Sequence, residues 1–396
     1  MMEMRYIAKD IPLWQVTIWD KKFNNVDKKW QPKTIKYKYL LSDELDSLRV
    51  DDGDVRILYT GKDVGFTTEE LAGDRLSEGE IISIPWGGIP TVKYHKGKFV
   101  TGDNRIATSN DIDKLTNKYL YYFMRGNIHE IASYYRGASL KHPCMKDILK
   151  MTISYPSVQE QDKICGQFDV LEQIIEVRKQ ELQLLDDLIK ARFVEMFGNP
   201  DLNEKEWDIN KMERLCEVSS SKRIYQNEQS VIGIPFLRIS DLVNRMDTGS
   251  KECDLYIPEE KYEELKDQGL VPIKGDILLT ARGTLGRCYI IQENDEFYFQ
   301  DGMITWLSNF NEKITSMYIA YLFSMPGFRK QIDALQAGST VAYLSISMTK
   351  KLDIMVPPLE LQNQFADFVH QVDKSKVAVQ KALDETQLLF DSLMQK

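Results

Sequence analysis

The second half of the chain contains three arginines in surroundings with little acidic charge, Arg238, Arg282 and Arg287. Only one acidic residue, Asp241, lies within four positions of any of them. Two of the arginines flank the tetrapeptide GTLG, whose glycines would let the backbone approach a phosphate and whose Thr284 would offer a hydroxyl donor. This spacing predicts either a nucleic-acid contact or simply the glycine turn of a β-hairpin, and the pattern leaves both interpretations open.

A second candidate surface is the segment KKFNNVDKKWQPKTIKYKY, residues 21–39. It mixes lysines with aromatic residues over a short span, and such a composition can follow a phosphate backbone. The same composition is also typical of a solvated hairpin, and the two interpretations are equally supported. Lys36 and Lys38 are the residues of this segment that we nominate for contact with a nucleic acid.

The sequence contains none of the motifs that would indicate catalysis. It lacks a phosphate-binding GxxxxGK loop, an Asp/Asn-Pro-Pro-aromatic tetrapeptide for a target adenine, and a glycine-rich turn for a methyl donor. Residues 199–207, NPDLNEKEW, resemble a nuclease motif only superficially, because the acid and the lysine fall within one segment. The five cysteines include no CxxC pair and the four histidines are scattered, which supports neither a disulfide framework nor a structural zinc site. We therefore expect a noncatalytic chain without a metal.

The candidate residues lie in two copies of one unit. At a fixed offset of 201 residues, the positions that are identical in both copies include Gly137/Gly338, Ile153/Ile354, Pro156/Pro357, Gln161/Gln362, Leu182/Leu383 and Leu188/Leu389. A looser similarity relates EGEIISIPWGG, residues 78–88, to KGDILLTARGT, residues 274–284. A period near 200 residues is too long for a solenoid, so the pattern indicates a tandem duplication.

Each copy ends in a segment with the residue spacing of a coiled coil. An apolar seam with 4-3 spacing runs through residues 156–198, and the same spacing recurs with polar interruptions in residues 356–396. A helix of about 40 residues extends roughly 60 Å, which is too long for one small domain to cover. The other helix is the nearest candidate partner, although packing on its own globule is an alternative for each. The residues that we predict to form the helix-pair interface are Ile164, Phe168, Leu171, Ile175, Leu182, Leu185, Ile189, Phe365, Val369, Val372, Val379, Leu383 and Phe390.

The segments that precede the two helices predict mixed α and β structure. Short apolar runs broken by glycines are followed by helical stretches such as NKYLYYFM and SMYIAYLF. Each segment has about 150 residues, which suits a single core. We therefore predict four parts: a globular domain of residues 1–155, a helix of residues 156–198, a globular domain of residues 199–355 and a helix of residues 356–396.

The net charge of −9 lowers the expectation of nonspecific binding to nucleic acid but leaves room for local basic patches. Residues 1–155 carry 24 basic and 21 acidic side chains, whereas residues 199–355 carry 18 and 24. No apolar run approaches the roughly 20 residues of a membrane span, and the start MMEM lacks the pattern of a leader peptide. We expect a cytoplasmic protein.

The order of five segments gives the chain a family resemblance. It contains, in sequence, WDINKMERLCEVSSSK, GIPFLRISDL, IKGDILLTARGTLGRCYII, GST and VPPLELQNQFADFV. In this order it resembles the specificity subunit of a type I restriction-modification enzyme over essentially its whole length. The resemblance implies an α+β fold with a pseudo-two-fold tandem duplication, in which two mixed α/β target-recognition domains are separated by two long helices that pair as an antiparallel coiled coil. It also implies that each domain reads one half of a bipartite DNA target.

The resemblance further implies partners. We nominate for contact with double-stranded DNA the residues Arg238, Ser240, Arg282, Thr284, Arg287, Lys36, Lys38, Trp86, Asn104 and Arg105. The expected partners are two methyltransferase subunits and, in a complete restriction enzyme, nuclease-translocase subunits. We expect no cofactor in this chain, because S-adenosylmethionine would belong to the methyltransferase and ATP and Mg to the nuclease.

The first copy departs from the second at its glycine loop. It lacks an arginine before the glycines and has Trp86 where the second copy has Arg282. Two other functions stay open at this point. One is a DNA-binding or coiled-coil scaffold that acts without an enzyme partner. The other is a complete methyltransferase in one chain, which the missing motifs disfavour.

Overall fold

The computed structural model describes residues 6–20, 29–31, 33–61, 64–336 and 342–394. The chain divides into two compact units. The first unit comprises Met1–Lys179 together with Lys381–Lys396, and the second comprises Gln180–Gln380. The structure thus places the two parts of each long helix in different units, whereas the sequence pattern predicts each helix as a segment of its own.

The first unit is built on a mixed seven-stranded sheet. The strands of the whole unit, in chain order, are β1 (Tyr6–Pro12), β2 (Thr17–Asp20), β3 (Thr34–Ile35), β4 (Val55–Leu58), β5 (Gly65–Thr67), β6 (Ser77–Pro85), β7 (Lys93–Thr101), β8 (Asn104–Ser109), β9 (Tyr135–Arg136), β10 (His142–Pro143) and β11 (Thr152–Pro156). Its helices are α1 (Leu13–Val16), α2 (Ser42–Ser47), α3 (Glu69–Ala72), α4 (Asn117–Gly126), α5 (Ile128–Ser133), α6 (Met145–Ile148) and the first part of α7 (Val158–Phe197). The strand order in the sheet is β3-β2-β8-β6-β7-β4-β5, so β6 lies at its centre.

The second unit has smaller sheets. Its strands are β12 (Asp208–Lys211), β13 (Glu217–Ser219), β14 (Ile234–Leu237), β15 (Tyr256–Ile257), β16 (Ile277–Thr280), β17 (Cys288–Ile290), β18 (Tyr298–Phe299), β19 (Ile304–Ser308) and β20 (Asp353–Val356). Its helices are α8 (Ile239–Thr248), α9 (Glu259–Asp267), α10 (Ser316–Ser324), α11 (Pro326–Gln336), α12 (Ile346–Lys350) and, in part, α13 (Leu359–Met394). The strand orders are β13-β19-β16-β17 and β15-β14-β18. Mixed α and β structure is therefore present in both units.

In each unit, an antiparallel strand pair joins the start of the globule to the strand just before a long helix. In the first unit β1 pairs with β11 and places Tyr6 opposite Pro156. In the second unit β12 pairs with β20 and places Asp208 opposite Val356. The long helices thus begin from equivalent places, each two residues after a proline that recurs at an offset of 201 residues.

A buried glutamine in the first turn of α7 ties this helix to its globule. Gln161 is fully buried. Its Nε2 donates to the carbonyl oxygens of Lys114 at 2.7 Å and Pro156 at 2.8 Å. Its Oε1 accepts a hydrogen bond from the backbone N–H of Thr116 at 2.9 Å, and Thr116 is the N-cap residue of α4. One side chain therefore links the start of α7, the end of β11 and the start of α4.

The second unit repeats this network with the equivalent glutamine. Gln362 is also fully buried. Its Nε2 donates to the carbonyl oxygens of Lys313 at 2.9 Å and Pro357 at 2.8 Å. Its Oε1 accepts from the backbone N–H of Thr315 at 2.9 Å, and Thr315 is the N-cap residue of α10. The duplication therefore preserves a complete hydrogen-bond network, because a buried amide is costly unless its donors and acceptor are all used.

In the second unit the late part of α7 packs against the early part of α13. The ring centroid of Phe365 lies 5.4 Å from that of Phe193 and 5.5 Å from that of Phe197. Nearer the middle of both helices, Lys376 Nζ donates to Asp186 Oδ1 at 2.6 Å. Residue numbers rise along one helix as they fall along the other, so the two helices run antiparallel here.

In the first unit the early part of α7 meets the late part of α13. The rings of Phe168 and Phe390 are in an edge-to-face contact with centroids 5.3 Å apart. The Arg125 guanidinium from α4 lies 4.7 Å from the centroid of Phe390 and so packs the helix end against the globule. The antiparallel pairing and the mixed α/β units confirm the predicted fold class.

The positions of the predicted seam are buried or half-buried throughout. The buried positions are Phe168, Ile175, Ile189, Phe365, Val369, Val372, Val379, Leu383 and Phe390, and the half-buried positions are Ile164, Leu171, Leu182 and Leu185.

In the described part of the chain, no helix is both long enough and apolar enough to cross a membrane.

We expect Gln362→Leu to lower the free energy of unfolding by about 1–3 kcal/mol, because it leaves buried backbone groups without hydrogen-bond partners. The matched control is Gln364→Leu, at an exposed position two residues further along the same helix, which should change this free energy by less than about 0.5 kcal/mol. Urea denaturation followed by circular dichroism measures both. Equal stability of the two variants would show that the glutamine network does not hold the helix.

Candidate nucleic-acid interface

The loop between β16 and β17, residues 281–287, presents exposed polar side chains at its tip. Arg282 and Thr284 are both exposed. The backbone of Arg282 forms a bridge with that of Tyr343, and its guanidinium carbon lies 4.8 Å from the centroid of the Tyr343 ring. The GTLG motif is therefore a hairpin turn, and the same turn carries the candidate contact residues. We call residues 281–287 tip loop 2.

The equivalent loop of the first unit, residues 86–89, follows the central strand β6, and we call it tip loop 1. The Trp86 carbonyl oxygen lies 2.7 Å from His142 Nδ1, and the two rings have centroids 5.2 Å apart. The backbone N–H of Gly88 donates to the carbonyl oxygen of Lys141 at 3.3 Å. His142 precedes Tyr343 by 201 residues. The two tip loops thus pack against equivalent segments of the two copies, with different side chains.

Arg238 and Ser240 lie at the start of α8, where the arginine is held by carboxylates. Arg238 donates from Nε and Nη2 to the two oxygens of Asp241, at 2.8 and 3.0 Å, and from Nη2 to Asp254 at 3.4 Å. Burial by itself would raise the pKa of Asp241, but the hydrogen bonds and charge of Arg238 outweigh it and hold that pKa below its usual value. Ser240 is exposed beside this pair.

Arg287 lies at the base of tip loop 2 and is also paired with a carboxylate. Its Nη2 donates to Asp247 Oδ1 at 2.5 Å, and this hydrogen bond lowers the pKa of Asp247. The partner is 40 residues away in the sequence. The residues next to Arg287 in the sequence therefore give no sign of this partner.

Asn104 and Arg105 lie in the interior of the first unit. The exposed fraction is 1% for Asn104 and 2% for Arg105. Asn104 Nδ2 donates to the Leu58 carbonyl oxygen at 2.9 Å. Arg105 forms ion pairs with Asp103 at 3.0 Å and with Asp20 at 3.7 Å. This burial does not fit the predicted contact with DNA, because both side chains are engaged within the protein.

Arg105 also supports tip loop 1. Its guanidinium carbon lies 4.1 Å from the ring centroid of Trp86, which is half-buried. Trp86 therefore packs against a buried cation as well as against His142. These two contacts hold the indole in place.

The basic segment of residues 21–39 is described only in part. Lys36 and Lys38 are both exposed, and Lys38 forms an ion pair with Asp74. Residues 21–28 and 32 lie outside the described residues, as does the GST motif at residues 338–340. The predicted roles of Lys36 and Lys38 stay predictions.

Comparison with known proteins assigns the chain to a family. Residues 46–186 and 204–386 both match the family model of the type I restriction modification DNA specificity domain. The chain belongs to this family. Its function is the recognition of a DNA target, and it is a noncatalytic specificity subunit. The family assignment gives no support to the alternative of a scaffold without an enzyme partner.

Individual relatives agree with this assignment. A putative type I restriction enzyme specificity subunit from Haemophilus influenzae is 26% identical over 307 residues, covering 75% of each chain. A type I restriction enzyme specificity subunit from Methanocaldococcus jannaschii is 24% identical over 309 residues, covering 72% of this chain and 68% of the relative. The crystal structure of a type I restriction-modification S subunit from M. genitalium has a TM-score of 0.59 at 15% identity, covers 100% of this chain and 96% of its own, and supports the fold.

The sequence pattern did not identify two residues that pack against the tip loops, His142 and Tyr343. The offset of 201 residues between them could have found them, because each follows a glycine, Gly137 or Gly338, by five residues. Neither is charged in a way that marks a DNA contact, so composition gave no signal.

We expect Arg105→Ala to lower the free energy of unfolding by about 3 kcal/mol or more, because it removes one partner of a buried ion pair with Asp20. Lys36→Ala is the control, since this exposed lysine should contribute less than about 0.5 kcal/mol. Urea denaturation followed by tryptophan fluorescence compares the two. If Arg105→Ala were as stable as Lys36→Ala but bound DNA more weakly than the wild type, the buried placement of Arg105 would be refuted.

Proposed function

We propose that the chain reads a bipartite DNA target, with one half-site for each unit and an unread spacer between them. The observation that carries this proposal is the contrast between the two copies. Gln161 and Gln362 make the same network, yet the tip loops present Trp86 in one copy and Arg282 in the other. A common scaffold with different side chains at its tip loops suits two half-sites of different sequence.

The long helices would fix the distance between the half-sites. α7 has 40 residues and α13 has 36, without interruption. An α-helix rises about 1.5 Å per residue, so helix length translates into a length along DNA, which rises about 3.4 Å per base pair. Two half-sites can then be bound together only at one separation.

We propose that methyltransferase subunits, two of them, dock on the helices, and that nuclease-translocase subunits join in a complete restriction enzyme. The support is an exposed apolar row on α7, formed by Val170, Ile174, Val177, Leu184 and Leu188, whose exposed fractions range from 38% to 67%. Their spacing is that of a second coiled-coil seam, which a partner helix could cover. S-adenosylmethionine, ATP and Mg would be bound by these partners, and the complex would act in the cytoplasm.

The charge of the chain also favours a partner. Phosphate neutralisation supplies much of the affinity for DNA, and a net charge of −9 reduces what this chain contributes outside its local basic patches. We propose that a basic partner subunit supplies most of the phosphate contacts, while this chain supplies the sequence preference.

Insertion of one helical turn into both α7 and α13 should lengthen the preferred spacer without changing either half-sequence. One turn adds about 5.4 Å, which corresponds to roughly one or two base pairs. Methylome sequencing of cells that express the complex measures the spacer. An unchanged spacer would remove the proposal that the helices fix this distance.

Exchange of residues 199–355 for the corresponding domain of another family member should change one half-site and leave the other intact. The reason is that each unit has its own core and its own tip loop. Selection of bound duplexes from a random pool, with the methyltransferase present, gives both half-sites. A change in both halves would contradict the assignment of one half-site to each unit.

A further inference from the structure

The three arginines nominated in the second unit differ in what surrounds their guanidinium groups. Arg238 is paired with Asp241 and Asp254, and Arg287 is paired with Asp247. Arg282 forms no ion pair with any residue that the structure describes. An arginine whose guanidinium is already bound to a carboxylate must give up that contact before it can bind a base. Arg282 needs no such exchange.

The base of tip loop 2 is held firmly, although its tip is exposed. Leu285 is buried, and its carbonyl oxygen accepts a hydrogen bond from Arg329 Nη1. Thr280 Oγ1 accepts from the backbone N–H of Arg287 at 2.9 Å, and the backbone N–H of Gly286 donates to the Thr280 carbonyl oxygen at 2.9 Å. The loop therefore positions Arg282 before any ligand binds, which reduces the entropy lost on binding.

Replacement of Gly286 in this turn by a residue with a side chain would cost free energy. Gly286 has a φ of +73°, and a Cβ at this position would lie 3.1 Å from Ile332 Cδ1. Both the left-handed backbone and the packing favour glycine there. The turn is thus fixed by its own sequence.

Tyr343 sets the direction of the guanidinium. Its ring centroid lies 4.8 Å from the Arg282 guanidinium carbon, and the backbones of the two residues are bridged. The backbone N–H of Leu344 donates to the Ala281 carbonyl oxygen at 3.0 Å and fixes this arrangement. Contact with an aromatic ring restrains the guanidinium plane and leaves its N–H groups available as donors.

We propose that Arg282 reads a guanine in the half-site of the second unit, donating from its guanidinium fork to O6 and N7 in the major groove. This inference rests on the proposed function. Guanine is the base whose major-groove edge offers two adjacent acceptors, and arginine is its commonest specific partner. A guanidinium fork without a carboxylate partner among the described residues, on a turn held at its base, has the chemistry that this contact requires.

The first unit has no counterpart to this contact among its described residues. Trp86 occupies the equivalent place, and the nearby arginine, Arg105, is only 2% exposed and paired with Asp20 and Asp103. The dependence on Arg282 is therefore confined to one half-site. This asymmetry separates a base contact from a general contribution of positive charge.

The test uses the full chain assembled with its methyltransferase partner and a random pool of duplex DNA. Arg282→Ala and Arg282→Gln should each lose the preference for guanine at one position, a loss of roughly 5- to 150-fold in discrimination, and keep all other positions. Arg214→Ala is the matched control, because Arg214 is exposed in the same unit and lies in a different segment. It should keep every base preference.

Three results would overturn the inference that Arg282 reads a guanine. If both Arg282 variants select the same sequence as the wild type, Arg282 reads no base and the inference falls. If they lose affinity equally for all sequences, with a shallower dependence on salt, Arg282 contacts a phosphate and the inference also falls. If the wild-type complex itself selects no sequence, the proposed function fails together with the inference.

Discussion

The structure depends on a buried side-chain amide at the start of each long helix. Gln161 and Gln362 use both N–H groups and the carbonyl oxygen within the protein, and each joins a long helix to the N-cap residue of a helix in its globule. A buried amide with an unpaired donor or acceptor costs free energy. Each glutamine therefore stabilises the fold only when its three hydrogen bonds form together. This requirement couples the orientation of each globule to the start of its long helix.

The same constraint accounts for what the two copies keep and what they have lost. Both units keep the glutamine, the proline before it and an antiparallel strand pair that leads into the long helix. A change of either glutamine would break several hydrogen bonds. The tip loops make no such network at their exposed ends, as far as the structure describes them. Trp86 and Arg282 therefore differ between the copies while the scaffold is retained.

Much of the fold followed from the sequence. The 4-3 spacing predicted the long helices, and the seam residues are buried or half-buried, because a helix repeats locally and shows its buried face in the order of its residues. The candidate site was harder to predict. Asn104 and Arg105 looked like contact residues but are buried, and the division of each long helix between two units could not be seen from segment boundaries. Both depend on which distant segments pack together.

The sequence by itself determined the duplication, the class of fold and the family, because these are written in local periodicity and in the order of motifs. The tertiary structure alone decided which arginines remain available to a ligand. Asp247 neutralises Arg287 across 40 residues, and Asp20 pairs with Arg105 although the two lie far apart in the chain. The physical reason is that electrostatic attraction depends on distance in space, so a search for nearby acids along the chain cannot find the partner that folding supplies.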